Sequence, residues 1–420
     1  MIKPQLNSVL LHDHSQCGTD ISKWLSSIGG KGLETALQRP SSIIPEIKAA
    51  KLRGLGGSGF PTYKKWLLLS KQHNNNNRYL ICNGNEDEPG TFKDRSLLEN
   101  TPHQIIEGAL ICALATNINH IIFYINPDQK KSLDNIRACI AQWLASDYLP
   151  KIENTLGRSL HFRVMASSGE YIGGEETAAI EAVENKFPFP RGKPPFPVQH
   201  GVHFQPTLVN NIETLANVPH IMRNGAQWFN KLGKGNASGT KLYCLSGDVN
   251  SPGVYELPMG TSLNELIVKY GNGICGKQKL KAIFTGGPSN SILTEQDLQM
   301  ALDFDSVALH HSSLGTGAMI IVAEGNSIVK HIAKYILFFS KASCGQCPPC
   351  TTGIRYLSEL LTKIETGHGN REDLDILTGL CNILPYSGRC HLPNGAINLL
   401  KSALRHFQGE FENALRSTTE

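Results

Sequence analysis

The sequence predicts an α/β protein: a mostly parallel sheet covered by helices on both faces, then a smaller β-rich unit, then a helical C-terminal region. Three observations predict it. A strand–loop–helix unit recurs across 41–230, short strand-like runs separated by glycine-rich turns fill 240–325, and helical periodicity occupies 328–420. Residues 1–40 have no clear periodicity and read as an N-terminal arm.

Taken in order, SSIIPEIKAAKLRG reads as a short helix feeding the glycine loop GLGGSGFPT, and an amphipathic helix follows around KKWLLLS. RYLIC has strand composition and ends in the polar loop NGNEDEPGTFKDR, before a long helix at about 96–116. HIIFYIN with SLDNIRACIAQWLA repeats the unit, and LHFRVMAS with the loop SGEYIGGEE and the helix TAAIEAVEN repeats it again. Strands in this alternation pair in parallel, and the ligands of such sheets sit beyond the strands' carboxyl ends. Both acidic, glycine-containing loops fall there. The proline-rich FPFPRGKPPFP leads to PTLVNNIETLANVPHI, after which KLYCLSG, GVYEL, KAIFTGG and AMIIVAE supply the β-rich unit. The four asparagines at 74–77 read as a surface loop.

With 420 residues, 40% hydrophobic and 18% charged, the chain has the composition of a globular protein with two or three packed units. A net charge of +4 without a Lys/Arg run argues against nucleic acid as a partner. The absence of an uncharged apolar stretch of ~18 residues predicts no membrane span, and the N-terminus does not read as a secretory signal, so the expected location is cytoplasmic. In such a reducing space the 11 cysteines are free thiols.

Seven of these (Cys17, Cys82, Cys112, Cys139, Cys244, Cys275 and Cys381) are scattered singly and read as small core residues. SCGQCPPC sets Cys344, Cys347 and Cys350 three apart, and Cys390 follows in GRCHLPNGA. Three thiolates in one turn with a remote fourth suit a [4Fe-4S] cluster. Zinc is the competing metal, although it more often draws two ligand pairs. Cys381 is the rival fourth ligand, but it lies in the apolar run GLCNILP, whereas Cys390 sits beside glycines in a turn.

GLGGSG contains G-x-G-x-x-G at Gly54, Gly56 and Gly59, yet a helix precedes it and no acid follows at the dinucleotide spacing. Its chemistry still suits a phosphate or a flat ring approached by backbone N–H groups, with Lys64 and Lys65 either neutralising a phosphate or solvated at the surface. The acids Glu86, Asp87, Glu88, Glu170, Glu175 and Glu176 offer acceptors to ribose hydroxyls and amide edges; Glu175 and Glu176 also fit a helix N-terminus decorated for its dipole.

In order, GLGGSGFPTYKKW, CNGNEDEPGTFKDR, GEYIGGEETAAIEAVE, RGKPPFP, PTLVNNIET and SCGQCPPC resemble the flavoprotein subunit of respiratory NADH dehydrogenase (complex I). The diaphorase subunits of NAD-linked hydrogenases and formate dehydrogenases are related. The resemblance spans about residues 40–410. It implies a Rossmann-like flavin domain, a ubiquitin-like β-grasp domain and a C-terminal helical bundle bearing the cluster. It also implies an NADH-oxidising enzyme: hydride passes from NADH to FMN, and single electrons go on to the [4Fe-4S] cluster.

By this resemblance Gly54, Gly56, Gly57, Lys65, Asn83, Asn85, Tyr171, Gly174, Asn210, Asn211 and Thr214 would hold FMN. Phe60, Lys193 and Phe196 would bracket the adenine, while Glu88, Glu175 and Glu176 would meet the nicotinamide end and ribose. No side chain would serve as acid or base. A carboxylate such as Glu176 would repel a ribose phosphate, favouring NADH over NADPH. The implied partners are a thioredoxin-like [2Fe-2S] subunit and a larger iron-sulfur subunit, which would tether the chain to the cytoplasmic side of the inner membrane. A reading of another class is an assembly scaffold that keeps the cluster without NADH turnover.

The chain departs from the family pattern at several points. Gly84-Asn85-Glu86-Asp87-Glu88 stands where Ala-Asp-Glu-Ser-Glu is usual, so an acid has become an amide and a hydroxyl an acid. Leu55 and Thr351 replace arginines, Leu68 an aromatic and Gly173 a cysteine, and His391 and Pro393 alter the turn around Cys390.

Overall fold

A computed structural model of the chain describes residues 2–3, 8–12, 16–72 and 77–415, which leaves most of the asparagine loop expected at 74–77 outside the described residues. Strands Tyr79–Gly84, His120–Ile125, His161–Ala166 and Thr207–Asn211 form one all-parallel sheet. The His161 strand lies at one edge and the Thr207 strand at the other. All four carboxyl ends therefore face the same way, and the loops that follow them gather on that side.

The first three strands are those expected. The fourth, TLVNN, is five residues long and ends in two asparagines, so no apolar run marks it. The helix expected at 96–116 is two, Lys93–Asn100 and Pro102–Thr116. Pro102 has no N–H to continue a helix but a backbone angle suited to starting one. Its helix is buried almost all round and ends at left-handed Asn117. At Gly108 a Cβ would lie 2.0 Å from the Leu215 carbonyl oxygen, so only glycine admits so close a packing of this helix on Ile212–Asn224.

The described residues before 40 pack on both sheet-bearing units. Helices Ile21–Ser27 and Lys31–Gln38 bury Trp24, Leu33 and Ala36 in the core of the parallel-sheet unit. Buried Glu107 accepts hydrogen bonds from Trp24 Nε1 (2.8 Å), Gly30 N–H (2.9 Å) and Leu33 N–H (3.1 Å). One carboxylate thus fixes the first helix and caps the second.

A second, mixed sheet runs in the order Ile2–Lys3, Gly253–Pro258, Thr240–Gly247, Ala318–Ala323, Leu280–Thr285, Ile292–Leu293. Its outermost strand comes from the N-terminus and pairs in parallel with Gly253–Pro258. On that neighbour, buried Glu256 accepts the N–H groups of Val9 (2.9 Å), Leu10 (3.0 Å) and Leu11 (2.8 Å). Helices Ile328–Lys341, Arg355–Glu365, Arg371–Ile383 and Leu392–Asn413 form the C-terminal region around a separate apolar core. Among the described residues no helix is long and apolar enough to cross a membrane.

Candidate functional site

Beyond the carboxyl ends of the parallel strands lies a cavity of about 660 Å³. Gly56 and Gly57 form one wall, Asn83 and residues 85–88 another, and Tyr171, Gly174, Glu175 and Asn211 complete the strand-end side. The mixed sheet closes it with Gly286, Ser289 and Gly315, and the helical region with His391, Leu392 and Asn394. The glycine loop is joined to the mixed sheet by a backbone bridge between Gly57 and Gly315. The volume suits a ligand of nucleotide size.

Backbone access explains the glycines. A Cβ at Gly56 would meet Asn211 Cβ at 2.8 Å, and Gly57 takes φ +141° with open space beside it. Gly54 stands one step back, its N–H donating to the Phe60 carbonyl at 2.8 Å. If the flavin that the family resemblance implies lies against this loop, Gly56→Val should crowd it out and leave the purified chain with less than about a tenth of the wild-type flavin by absorbance; full flavin content would refute that placement.

The acidic loop divides its labour. Glu86 accepts from the N–H groups of Asp94 (2.7 Å) and Arg95 (2.9 Å), capping the Lys93 helix, and burial beside Asp94 pushes its pKa up to about 8. Glu88 accepts from the Tyr171 hydroxyl and the Ser289 hydroxyl, each at 2.6 Å, and burial raises its pKa against those bonds. Asn83 donates from Nδ2 to the Gly174 carbonyl at 3.0 Å and accepts the Asn85 N–H at 3.1 Å.

Burial also lifts Asp87 to about 6, above its unfolded value, so its ionised form opposes folding. The wild type should therefore lose stability relative to Asp87→Asn as pH rises towards 6 and hold that difference above it. Paired melting curves on either side of pH 6 would test this.

A buried ion group that no sequence pattern signalled sits under the cavity floor. Lys93 Nζ lies 2.7 Å from Asp94 Oδ1, 3.0 Å from Glu213 Oε2 and 3.2 Å from Asn211 Oδ1. Lys241 joins Glu213 from the mixed sheet at 3.3 Å. Lys93 and Asp94 themselves line the cavity, and the attraction of these carboxylates outweighs burial in raising the Lys93 pKa.

Other expected residues stand outside the cavity wall. Asn210 is buried and accepts from Trp66 Nε1 at 3.0 Å; Thr214 accepts the Leu55 N–H at 2.8 Å, propping the glycine loop from behind. Lys65 pairs with Glu176 at 2.8 Å. Lys193 bridges Glu176 (2.6 Å) and Glu175 (3.0 Å). Although burial works against it, these two lysines hold the Glu176 carboxyl below the usual range. Glu175 also caps helix Glu176–Val183. Phe60 and Phe196 are exposed, with Lys65 Nζ 5.9 Å from the Phe60 ring centre.

Cys344, Cys347, Cys350 and Cys390 line one small pocket with Ile172, Pro190 and Leu392. Cys381 is buried in Arg371–Ile383 and lines a different groove. Among the described residues no three His, Cys, Asp or Glu side chains close on a single-ion position. Four thiols converging on one pocket are the donor set that a [4Fe-4S] cluster takes. Ile172, Leu392 and Cys390 line this pocket and the larger cavity alike, so the two share a wall.

Three sequence profiles match consecutive parts of the chain: the Nuo51 FMN-binding domain over 47–220, the SLBB domain over 241–322, and the NADH-ubiquinone oxidoreductase-F iron-sulfur binding region over 330–414. The F 2 subunit of NADH-quinone oxidoreductase in Rhizobium meliloti (strain 1021) is 40% identical over 395 residues, 93% of each chain. The chain belongs to the family of NADH-quinone oxidoreductase F subunits. The F subunit of Escherichia coli (strain K12) is 38% identical over 94% of this chain and 90% of its own. Among solved structures, an NAD+-reducing [NiFe]-hydrogenase in the H2-reduced state superposes with a TM-score of 0.85 at 31% identity, covering 95% of this chain and 67% of that one. As a member of this family, the chain is an NADH-oxidising flavoprotein component of a multi-subunit complex, with FMN and a [4Fe-4S] cluster as cofactors.

Proposed function

We propose that the large cavity takes FMN and the reacting end of NADH, and that Cys344, Cys347, Cys350 and Cys390 hold the cluster across the shared wall. The observation that carries this reading is that wall: Cys390, Ile172 and Leu392 face both compartments. The cavity has the chemistry for a flavin, because the buried Asn85 Oδ1 on its wall has no hydrogen-bond partner within the protein. When bound, FMN supplies two-electron chemistry towards NADH and one-electron chemistry towards the cluster.

The chain's own contribution is alignment and exclusion of water. Gly56 and Gly57 offer open backbone to the flavin phosphate, with Gly54 bracing the turn behind them and Lys65 supplying a cation to the phosphate, Asn83, Asn85 and Asn211 offer amides to its ring edges, and Tyr171 and Gly174 close that side. Asn210 and Thr214 act from behind by setting Trp66 and the glycine loop. Glu88, Glu175 and Glu176 meet the nicotinamide end and ribose, with Phe60, Lys193 and Phe196 at the adenine end.

The wider assembly follows the same reading: quinone is the terminal acceptor, and a thioredoxin-like [2Fe-2S] subunit and a larger iron-sulfur subunit dock on this chain at the cytoplasmic side of the membrane. Supporting a docked partner, Tyr356, Ile383 and Tyr386 are exposed on the helical region that carries the cysteines. The hydrogenase likeness favours a second reading, in which the chain is the diaphorase of an NAD-linked hydrogenase.

Anaerobic titration of the reconstituted chain with NADH tests the core of this. Bleaching of flavin absorbance followed by a reduced-cluster paramagnetic signal is expected. A chain that binds a cluster but neither flavin nor NADH would be a scaffold, and the proposal would fail.

A further inference from the structure

Asn85 is 3% exposed and lines the flavin cavity. Its Nδ2 donates to Asp87 Oδ2 at 2.6 Å and to the Glu170 carbonyl at 3.3 Å. Both partners can only accept while Asp87 is ionised, so the amide nitrogen must face them and Oδ1 must face away. That oxygen is buried and unpartnered. Asp87 is itself held from its other side, where Asn126 Nδ2 donates to Oδ1, and Asn126 sits at the end of the neighbouring His120–Ile125 strand.

We propose that Asp87 and Asn126 form an orienting clamp that fixes the Asn85 amide as a hydrogen-bond acceptor towards the cavity, so that this point selects an N–H or O–H donor on the bound flavin. The inference rests on the flavin reading of the cavity and deepens it. Asp87 is a positioning residue: it does not touch the ligand but decides which end of Asn85 does. An amide presents a donor or an acceptor according to how it is turned. A carboxylate presents an acceptor whichever way it turns. Asp87→Asn frees the Asn85 amide to reverse, because an amide at 87 can donate to Asn85 Oδ1. The cavity would then face a donor.

A cycle of full-length variants reads this out: wild type, Asp87→Asn, Asn85→Asp, and the two together, each with the cluster reconstituted and the flavin stripped. The measurement is FMN affinity by quenching of flavin fluorescence, with the flavin midpoint potential as a second signal and melting temperature as a check on folding. Asp87→Asn is expected to weaken FMN about tenfold in the wild-type background, the worth of one well-made hydrogen bond. In the Asn85→Asp background the same change should leave affinity equal or improved, because that carboxylate needs no orienting and loses a like-charged neighbour. Equal losses in both backgrounds, or none in the wild type, would overturn the clamp. A wild-type chain that binds no FMN would instead overturn the reading of the cavity itself.

Discussion

Replacing Cys390 by serine is expected to remove more than nine-tenths of the cluster iron and its paramagnetic signal, while flavin is retained and still bleached by NADH. The reason is compartmental. Cys344, Cys347 and Cys350 come from one turn and the helix entry after it, and Cys390 is brought to the same pocket from a turn 40 residues later. A serine hydroxyl is a far poorer ligand for iron than a thiolate, so three cysteines would be left around an open cluster. Cys381→Ser is the matched control, because Cys381 lines a different groove. A cluster that survives in Cys390→Ser but is lost in Cys381→Ser would reverse the assignment.

Lys93→Met should destabilise the chain by about 3–5 kcal/mol in urea unfolding, the cost of leaving a buried charge without its counterion. Lys93 is fully enclosed and faces Asp94 and Glu213, both also buried. Methionine fills the stem's volume but supplies no charge, and Lys241 at 3.3 Å from Glu213 is left as the remaining cation of that group. Adding Asp94→Asn removes one of the stranded carboxylates and should restore part of the loss. A change below about 1 kcal/mol in Lys93→Met would show that these acids are protonated in the folded state and carry no buried charge.

Features confined to a few neighbouring residues were legible in the sequence. RYLIC and HIIFYIN are apolar enough to be strands wherever they fall, and the C-x-x-C-x-x-C spacing declares its chemistry within seven residues. What depended on distant pairing was not. TLVNN becomes a strand because the Tyr79 strand offers it an edge, and of its two asparagines Asn211 lines the cavity while Asn210 accepts from Trp66. Nothing local distinguishes Lys93, Glu213 and Lys241 from solvated charges, since Glu213, the acid that both lysines meet, is distant from each in the chain. The helix split at Pro102 was readable in principle, because proline cannot continue a helix. Lys65, read beside the glycine loop as either a phosphate partner or a surface cation, pairs with Glu176, more than 100 positions away in the chain.

The pairing of the chain's beginning with its middle has a cost during synthesis. Leu10 and Leu11 leave the ribosome early, yet the carboxylate that receives their N–H groups belongs to residue 256. At ordinary elongation rates that wait is on the order of tens of seconds, during which these N–H groups lack their acceptor. Nascent chains halted before that acid emerges should bind holdase chaperones, and chains halted well beyond it should release them.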